Sequence, residues 1–349
     1  MAKTVDVNKT RKVRKYEFEP GDGTVVDGHV VRRIRATSDI PGTDVKAGTL
    51  GGYIESETNL SHGGSCWVYD NAVVRGRAHV VGDAKVMGRA IVCGGAMVRD
   101  RAVVEDGAAV NGRATIRDDA VVTGNASVSG CAELCEHAKV SDTGIVEDDA
   151  KVSGWARVYE GRVVGSASVT DNAVVCAGGY VSGSARVGGR VVVIGVVGNS
   201  ASAFGHITVQ KGVVLAGDAE VDDARGYVAF YFSWTNDTVV YTRSNGKWRA
   251  WGYSFDTTED MLLHCHLMSE RAGREAEAFA DTVKRLGCVD DMFSDKGVVY
   301  FNDTQSEGPG VSSWLTNSKS RGGAVEARRF CTPLVGGSNP SPGSTEYMK

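Results

Sequence analysis

From Val68 onward an aliphatic residue returns at every sixth position, through Val74, Val80, Val86 and so on to Val158 and Val164, with only Ile116 and Leu134 replacing valine. Four residues after each of these comes a second series, Ala72, Ala78, Ala84 and onward to Ala156, in which only Gly144 departs from alanine. Two residues after each aliphatic, from Asp70 through Gly76 and Gly82 to Glu160, every position is Gly, Asp or Glu. A period of six does not keep one face of an α-helix, because 100° per residue turns successive apolar positions away from one another. It suits a short strand followed by a corner. The aliphatic points inward with its neighbours outward, Gly or Asp takes the tight turn, and alanine fits inside the bend.

A chain that turns every six residues closes on itself, and a fixed period of this kind marks a solenoid. Three sides give a coil of eighteen residues. Stepping by eighteen then produces three inward columns, headed by Val68, Val74 and Val80. Each buried valine contributes roughly 1.5–3 kcal/mol before ordering entropy, so such a core holds without metal or disulfide.

The aliphatic and the small residue four positions later resemble the hexapeptide repeat of left-handed parallel β-helix proteins, best known from acyltransferases and sugar-nucleotide enzymes. The segment from Leu50-Gly-Gly-Tyr53 to Asn71-Ala72 further resembles the start of the repeat in a group of bacterial, phage and prophage proteins, some labelled transferases. The resemblance covers roughly residues 30 to 225 and implies a mainly β fold, a left-handed parallel β-helix of about eight or nine coils. It implies much less about activity, since one fold hosts many functions.

Residues 1–15 carry six Lys and Arg and are expected to be a flexible basic terminus; residues 16–66 form an N-terminal cap and first coil; residues 67–226 form the β-helix. The register slips by one near Gly161-Arg162, resumes at Val163, and blurs from Gly195 to His206. Residues 227–302 read as an α+β module: a hairpin around Asn245-Gly246, a helix over Met261 to Ala272 opened by Thr257 and Asp260, and a second helix after Gly273. His264 and His266 stand two apart on the first helix and cannot share a face. Residues 303–349 lack a core pattern and are expected to be a disordered tail. Its Gly337-Ser338-Asn339-Pro340 is what a tRNA T-arm would encode if read in frame, which suggests read-through at a prophage attachment site.

A formal net charge of -4 gives no reason to expect nucleic acid or an anionic membrane. No apolar segment is long enough to span a bilayer and no signal-like run opens the chain, so a cytoplasmic location and reduced thiols are expected. Cys66 stands at the small corner position. Cys131 and Cys135 lie on a corner and an outward position, so no metal site is expected.

Outward positions speak of partners. Val73, Ile91, Ala109, Ser127 and Ile145 make one mainly apolar row, whereas a second row holds His79, Met97, Thr115, Glu133 and Lys151, and the third Trp67, Lys85, Val103, Val121 and Lys139. An apolar stripe is explained by burial against another subunit. Val73, Ile91, Ala109 and Ile145 are therefore the expected subunit interface of a homo-oligomer, a trimer by the resemblance. Arg77, Arg89, Arg101 and Arg113, twelve apart, fall on different corners and make no single basic stripe.

The family's acyltransferases use a general-base histidine at a cleft between subunits, commonly with a loop leaving a coil. Here the hexads run from Trp67 to Val158 without interruption. His62 is expected to point inward, His137 lies on a corner and His206 in the blurred region, which leaves His79 as the weak catalytic candidate. The reading is a non-enzymatic, self-assembling scaffold or interaction protein of phage or prophage type, with no cofactor and an unidentified protein partner. The alternative is a CoA-dependent acyltransferase using acetyl-CoA or another acyl-CoA. Glycan binding along Tyr69, Trp155 and Tyr159 is a third reading.

Overall fold

The structure, a computed structural model, describes residues 14–232 and 237–287. Each hexad contributes a short strand, beginning Trp67–Val68, Val73–Val74 and His79–Val80. Each strand pairs in parallel with the strand three hexads later, Trp67 opposite Lys85, Val73 opposite Ile91 and His79 opposite Met97. Three sheets result. The one containing Val73 is here face A, the one containing His79 face B, and the one containing Trp67 face C. Faces B and C have nine strands each; face A belongs to a sheet of twelve, the first two of which come from an N-terminal hairpin. The chain is a β-solenoid of about nine turns.

The aliphatic columns are wholly buried from Val68 to Val209, as are the corner alanines from Ala72 to Ala156. What lets the chain turn is the residue after next. Asp70, Asp100, Asp106, Asp118, Glu136, Asp142, Asp148 and Glu160 all have φ between 52° and 62°, and the glycines at the equivalent positions lie in the same left-handed region. The acidic residues among them do more than tolerate that conformation. Asp70 accepts from the Gly88 amide at 2.9 Å, Asp118 from Glu136 at 3.0 Å and Glu136 from Gly154 at 2.7 Å, each one coil on. Aspartate, which enters the left-handed region at modest cost, thus ties one corner to the next.

From Val68 onward, coil length varies only at the corner leading into face A. Ile145 pairs with Arg162, a step of seventeen that matches the expected slip, and Tyr180 pairs with Val196, a step of sixteen. The second shortening explains the apparent blur after Gly195. Once two residues are removed, Val197, Ala203, Val209, Leu215 and Val221 continue the buried columns without a break. Glycine accompanies these short corners. A Cβ on Gly144 would sit 2.7 Å from the Val158 carbonyl oxygen, and one on Gly161 2.8 Å from that of Val175. The one departure from alanine in the sixes is therefore a steric requirement of the shortened coil above it.

The first coil is longer than the rest. Ile54 pairs with Val74 and Leu60 with Val80, steps of twenty, so Leu60 rather than His62 fills the inward position. His62, expected inside, instead stacks on Tyr16 with ring centroids 4.4 Å apart. Strands Tyr16–Val26 and His29–Ala36 form an antiparallel hairpin through Asp27-Gly28, and the second strand pairs with Leu50–Ile54. Tyr16, Ile34, Ile40, Val45 and Ile54 share the core of the coils that follow. Arg14 and Lys15, grouped by sequence with the basic terminus, are held: Arg14 pairs with Glu57 and Lys15 is buried.

After Val221 the chain forms a four-stranded antiparallel sheet, Tyr227–Phe232, Asp237–Thr242, Lys247–Ala250 and Tyr253–Phe255. Two helices follow, here α1 (Thr258–Met268) and α2 (Glu270–Gly287). Thr257 caps α1 as expected, accepting from the Asp260 amide. Two details differ from expectation. Thr242 pairs with Lys247, so the Asn245-Gly246 connection is a four-residue loop, and the two-residue turn is Trp251-Gly252, both at positive φ. The helices divide at Ser269, whose hydroxyl accepts from the Ala272 amide, and not at Gly273. Gly273 is needed for proximity, since its position lies directly under the His266 ring. The expected tail from 303 and its T-arm-like residues lie outside the described residues.

Val110 is completely buried in the middle of face A's inner column. Val110→Asp places an unpaired charge there and is expected to cost on the order of 4 kcal/mol or more, read as a lowered urea midpoint by circular dichroism.

Candidate functional site

Face A carries the row singled out by sequence. Its outward side chains Val73, Ile91, Ala109, Ser127 and Ile145 lie side by side through paired strands, with Val73 buried and the others half-buried. Cys93, two residues beyond Ile91, is also half-buried beside them. The row ends at Arg162, which is exposed and pairs with Glu147 at 2.6 Å. Faces B and C have no comparable stretch. Face B is charged in its middle, where Glu133 lies between Arg117 at 2.7 Å and Lys151 at 3.6 Å.

His79 opens face B just past the corner that separates it from face A. Its Nδ1 lies 2.8 Å from the Thr58 carbonyl oxygen. A carbonyl only accepts, so Nδ1 carries the proton, and in the neutral ring Nε2 keeps the lone pair. Thr58 is placed by local structure: Ser56 caps the turn Glu57–Asn59, and the Asn59 amide group donates to the carbonyls of Gly76 and Ala78. The ring is thus oriented by a rigid backbone acceptor. No carboxylate is paired with it among the described residues.

The other histidines are engaged elsewhere. His137 stacks on Trp155 with centroids 4.0 Å apart, and its Nδ1 is 3.7 Å from Asp119, which takes two bonds from Arg101. Sequence reasoning did not find this ladder, though its signal was present in the eighteen-residue spacing of Arg101, Asp119, His137 and, at the exposed end, Trp155. The three aromatics considered for glycan binding do not converge as one set: Trp155 belongs to this ladder, and Tyr69 packs against the core near Asp44. His206 is exposed. His264 rests against Tyr253, Phe255 and Trp251, while His266 faces Glu277 at 2.9 Å. Among the described residues no three His, Cys, Asp or Glu side chains gather closely enough to hold a metal ion.

Several carboxylates in the corner network have depressed pKa values, Asp106 and Glu55 among them. Asp106 is lowered by the Thr123 hydroxyl first and by the Gly124 amide next, and Glu55 by the Gly76 amide first and by His29 next. Both are stabilised in the charged form by donors that unfolding removes.

Against known proteins, no family model matches the chain. The repeat and the three-sided coil define a hexapeptide-repeat β-solenoid. Over 54 residues, 15% of this chain, it is 48% identical to the uncharacterized acetyltransferase YdcK of Escherichia coli (strain K12); the match spans 16% of that relative's length. No helix among the described residues is long and apolar enough to cross a membrane.

Because the folded pKa values of Asp106 and Glu55 lie below their unfolded values of about 4, the stability these groups add is present above that pH. It is lost as pH falls through the folded values. The thermal midpoint should be level from neutrality toward about pH 5 and drop below about pH 4. Asp106→Asn should reduce the drop, as checked by thermal melts across that range.

Proposed function

We propose that this chain is a homo-oligomeric β-solenoid scaffold, assembled through face A, that presents its remaining faces to a protein partner. The mainly apolar row of Val73, Ile91, Ala109 and Ile145, interrupted by Ser127, carries the reading. Those side chains stand on four of five consecutive strands of one hydrogen-bonded sheet, so they meet a partner surface together. Stoichiometry is proposed as three, on the precedent of the repeat class; a phage or prophage origin and a cytoplasmic setting belong to the same proposal. The uninterrupted prism supports a scaffold further. Between Trp67 and Val158 each corner passes straight to the next strand, and no excursion walls off a donor site.

Light scattering on the full chain at micromolar concentration should give a multiple of the protomer mass. The double variant Ile91→Asp with Ile145→Asp should fall to the protomer mass while keeping its circular dichroism. A monodisperse wild-type monomer would refute the proposal.

A second reading is acyl transfer from an acyl-CoA, with His79 as general base. Its support is the ring orientation, which directs the proton to Nδ1 and the lone pair to Nε2, together with the short match to a relative bearing the acetyltransferase name. His79 lies just beyond the edge of face A, so oligomerisation through that face brings a neighbouring subunit near it. In calorimetry with acetyl-CoA, saturable heat that His79→Ala reduces at least about tenfold in affinity, roughly 1.4 kcal/mol, would favour this reading. Absence of heat from an assembled oligomer would count against it.

A further inference from the structure

The beginning of the solenoid holds a buried lysine against a buried cysteine. Lys15 Nζ lies 3.1 Å from Cys66 Sγ and 2.8 Å from the Cys66 carbonyl oxygen, with the Gly64 and Gly63 carbonyls at 3.4 and 3.5 Å. Lys15 is 7% exposed and Cys66 wholly buried. The Lys15 backbone is fixed as well, its amide donating to His62 Nδ1 at 3.2 Å. The pair is therefore held in place from both sides.

Nothing in the repeat asks for a sulfur there. One coil on, the same corner position is Ala84, and beyond it Ala102, Ala120 and Ala138, all buried. The core needs a methyl group at that column, and Cys66 adds to it one polarizable atom that points to the ammonium. Burial raises the thiol pKa, with Lys15 acting in the opposite direction, so the sulfur stays protonated and is shielded from ordinary thiol reagents. Small oxidants are not excluded in the same way.

We infer that Lys15 and Cys66 form an oxidative cross-link in which a single oxygen atom bridges Nζ and Sγ. Dioxygen is the oxidant. The thiol and the ammonium react with one molecule of dioxygen to give the S–O–N bridge, one water and one proton; the S–H bond and two N–H bonds are lost as the S–O and N–O bonds form. Sulfur and nitrogen each give up two electrons, and dioxygen accepts all four. Two equivalents of a dithiol return the thiol and the amine and release the bridging oxygen as water. The bridge closes a covalent loop from Lys15 to Cys66 and fastens the segment that enters the N-terminal hairpin to the first coil, restricting the unfolded ensemble much as a disulfide does.

The test uses the full chain purified anaerobically, half of it then kept under air, with both halves digested without reductant and mapped by mass spectrometry. Only the aerated half should contain a joined Lys15–Cys66 peptide pair carrying one extra oxygen and lacking two hydrogens. Dithiothreitol should abolish it. The aerated protein should melt higher than its reduced form, on the order of 5 °C, and Cys66→Ala, which restores the residue of the repeat, should fold normally and lose that difference. Recovery of Cys66 from the aerated half as a free thiol, in a disulfide, or joined to Lys15 without the added oxygen would overturn the inference.

Discussion

At each regular corner of this solenoid one residue takes a positive φ while its backbone stacks on the corner of the next coil. That requirement constrains the sequence alongside core burial, because few residues turn left at low cost. Glycine meets it by lacking a side chain. Aspartate and glutamate meet it by directing a carboxylate to the amide one coil away, so the residue that bends the chain also joins adjacent turns. The parallel strands, two or three residues long, hold their register because the corners on both sides are tied.

This leaves the outer surface largely free of structural duties. Most outward side chains are at least partly exposed, the buried Trp67 and Val73 being exceptions, so the apolar row on face A, the charged group around Glu133 on face B and the Arg101–Asp119–His137–Trp155 ladder are free to answer to what surrounds the protein. The same separation holds at Cys66, where the repeat specifies a methyl-sized group and the additional sulfur answers to Lys15. Side chains that exceed the needs of the repeat are the natural places to look for function in a solenoid.

The coil architecture was legible in the sequence because period, inward column and corner residue all recur with one spacing. Apart from the Arg101–Trp155 ladder, what escaped within the solenoid came from departures in spacing. The two residues missing at Gly195 made a continuous column look blurred, and the two added in the first coil moved Leu60, not His62, inside. In the C-terminal module the Asn-Gly pair suggested a two-residue turn, but the side chain of Asn245 accepts from the Thr242 hydroxyl and the Lys247 amide and organises a wider loop. Of the candidate site, the position of His79 and the row on face A could be read from register alone. The Thr58 carbonyl that orients the imidazole could not, since it lies on the irregular first coil, where no period applies.

Two kinds of length change therefore have very different consequences for this chain's history. Loss of one or two residues at a corner, as at Gly161 and Gly195, is absorbed locally and leaves every later side chain on its own face. Insertion or loss of a single hexad would keep the core intact yet turn the whole downstream surface by one third of a revolution, carrying face A residues onto a neighbouring face. Only steps of three hexads preserve both interior and exterior. Variation in the length of such a protein should then be quantised in whole coils wherever its outer rows matter to the organism, and by single hexads where they do not.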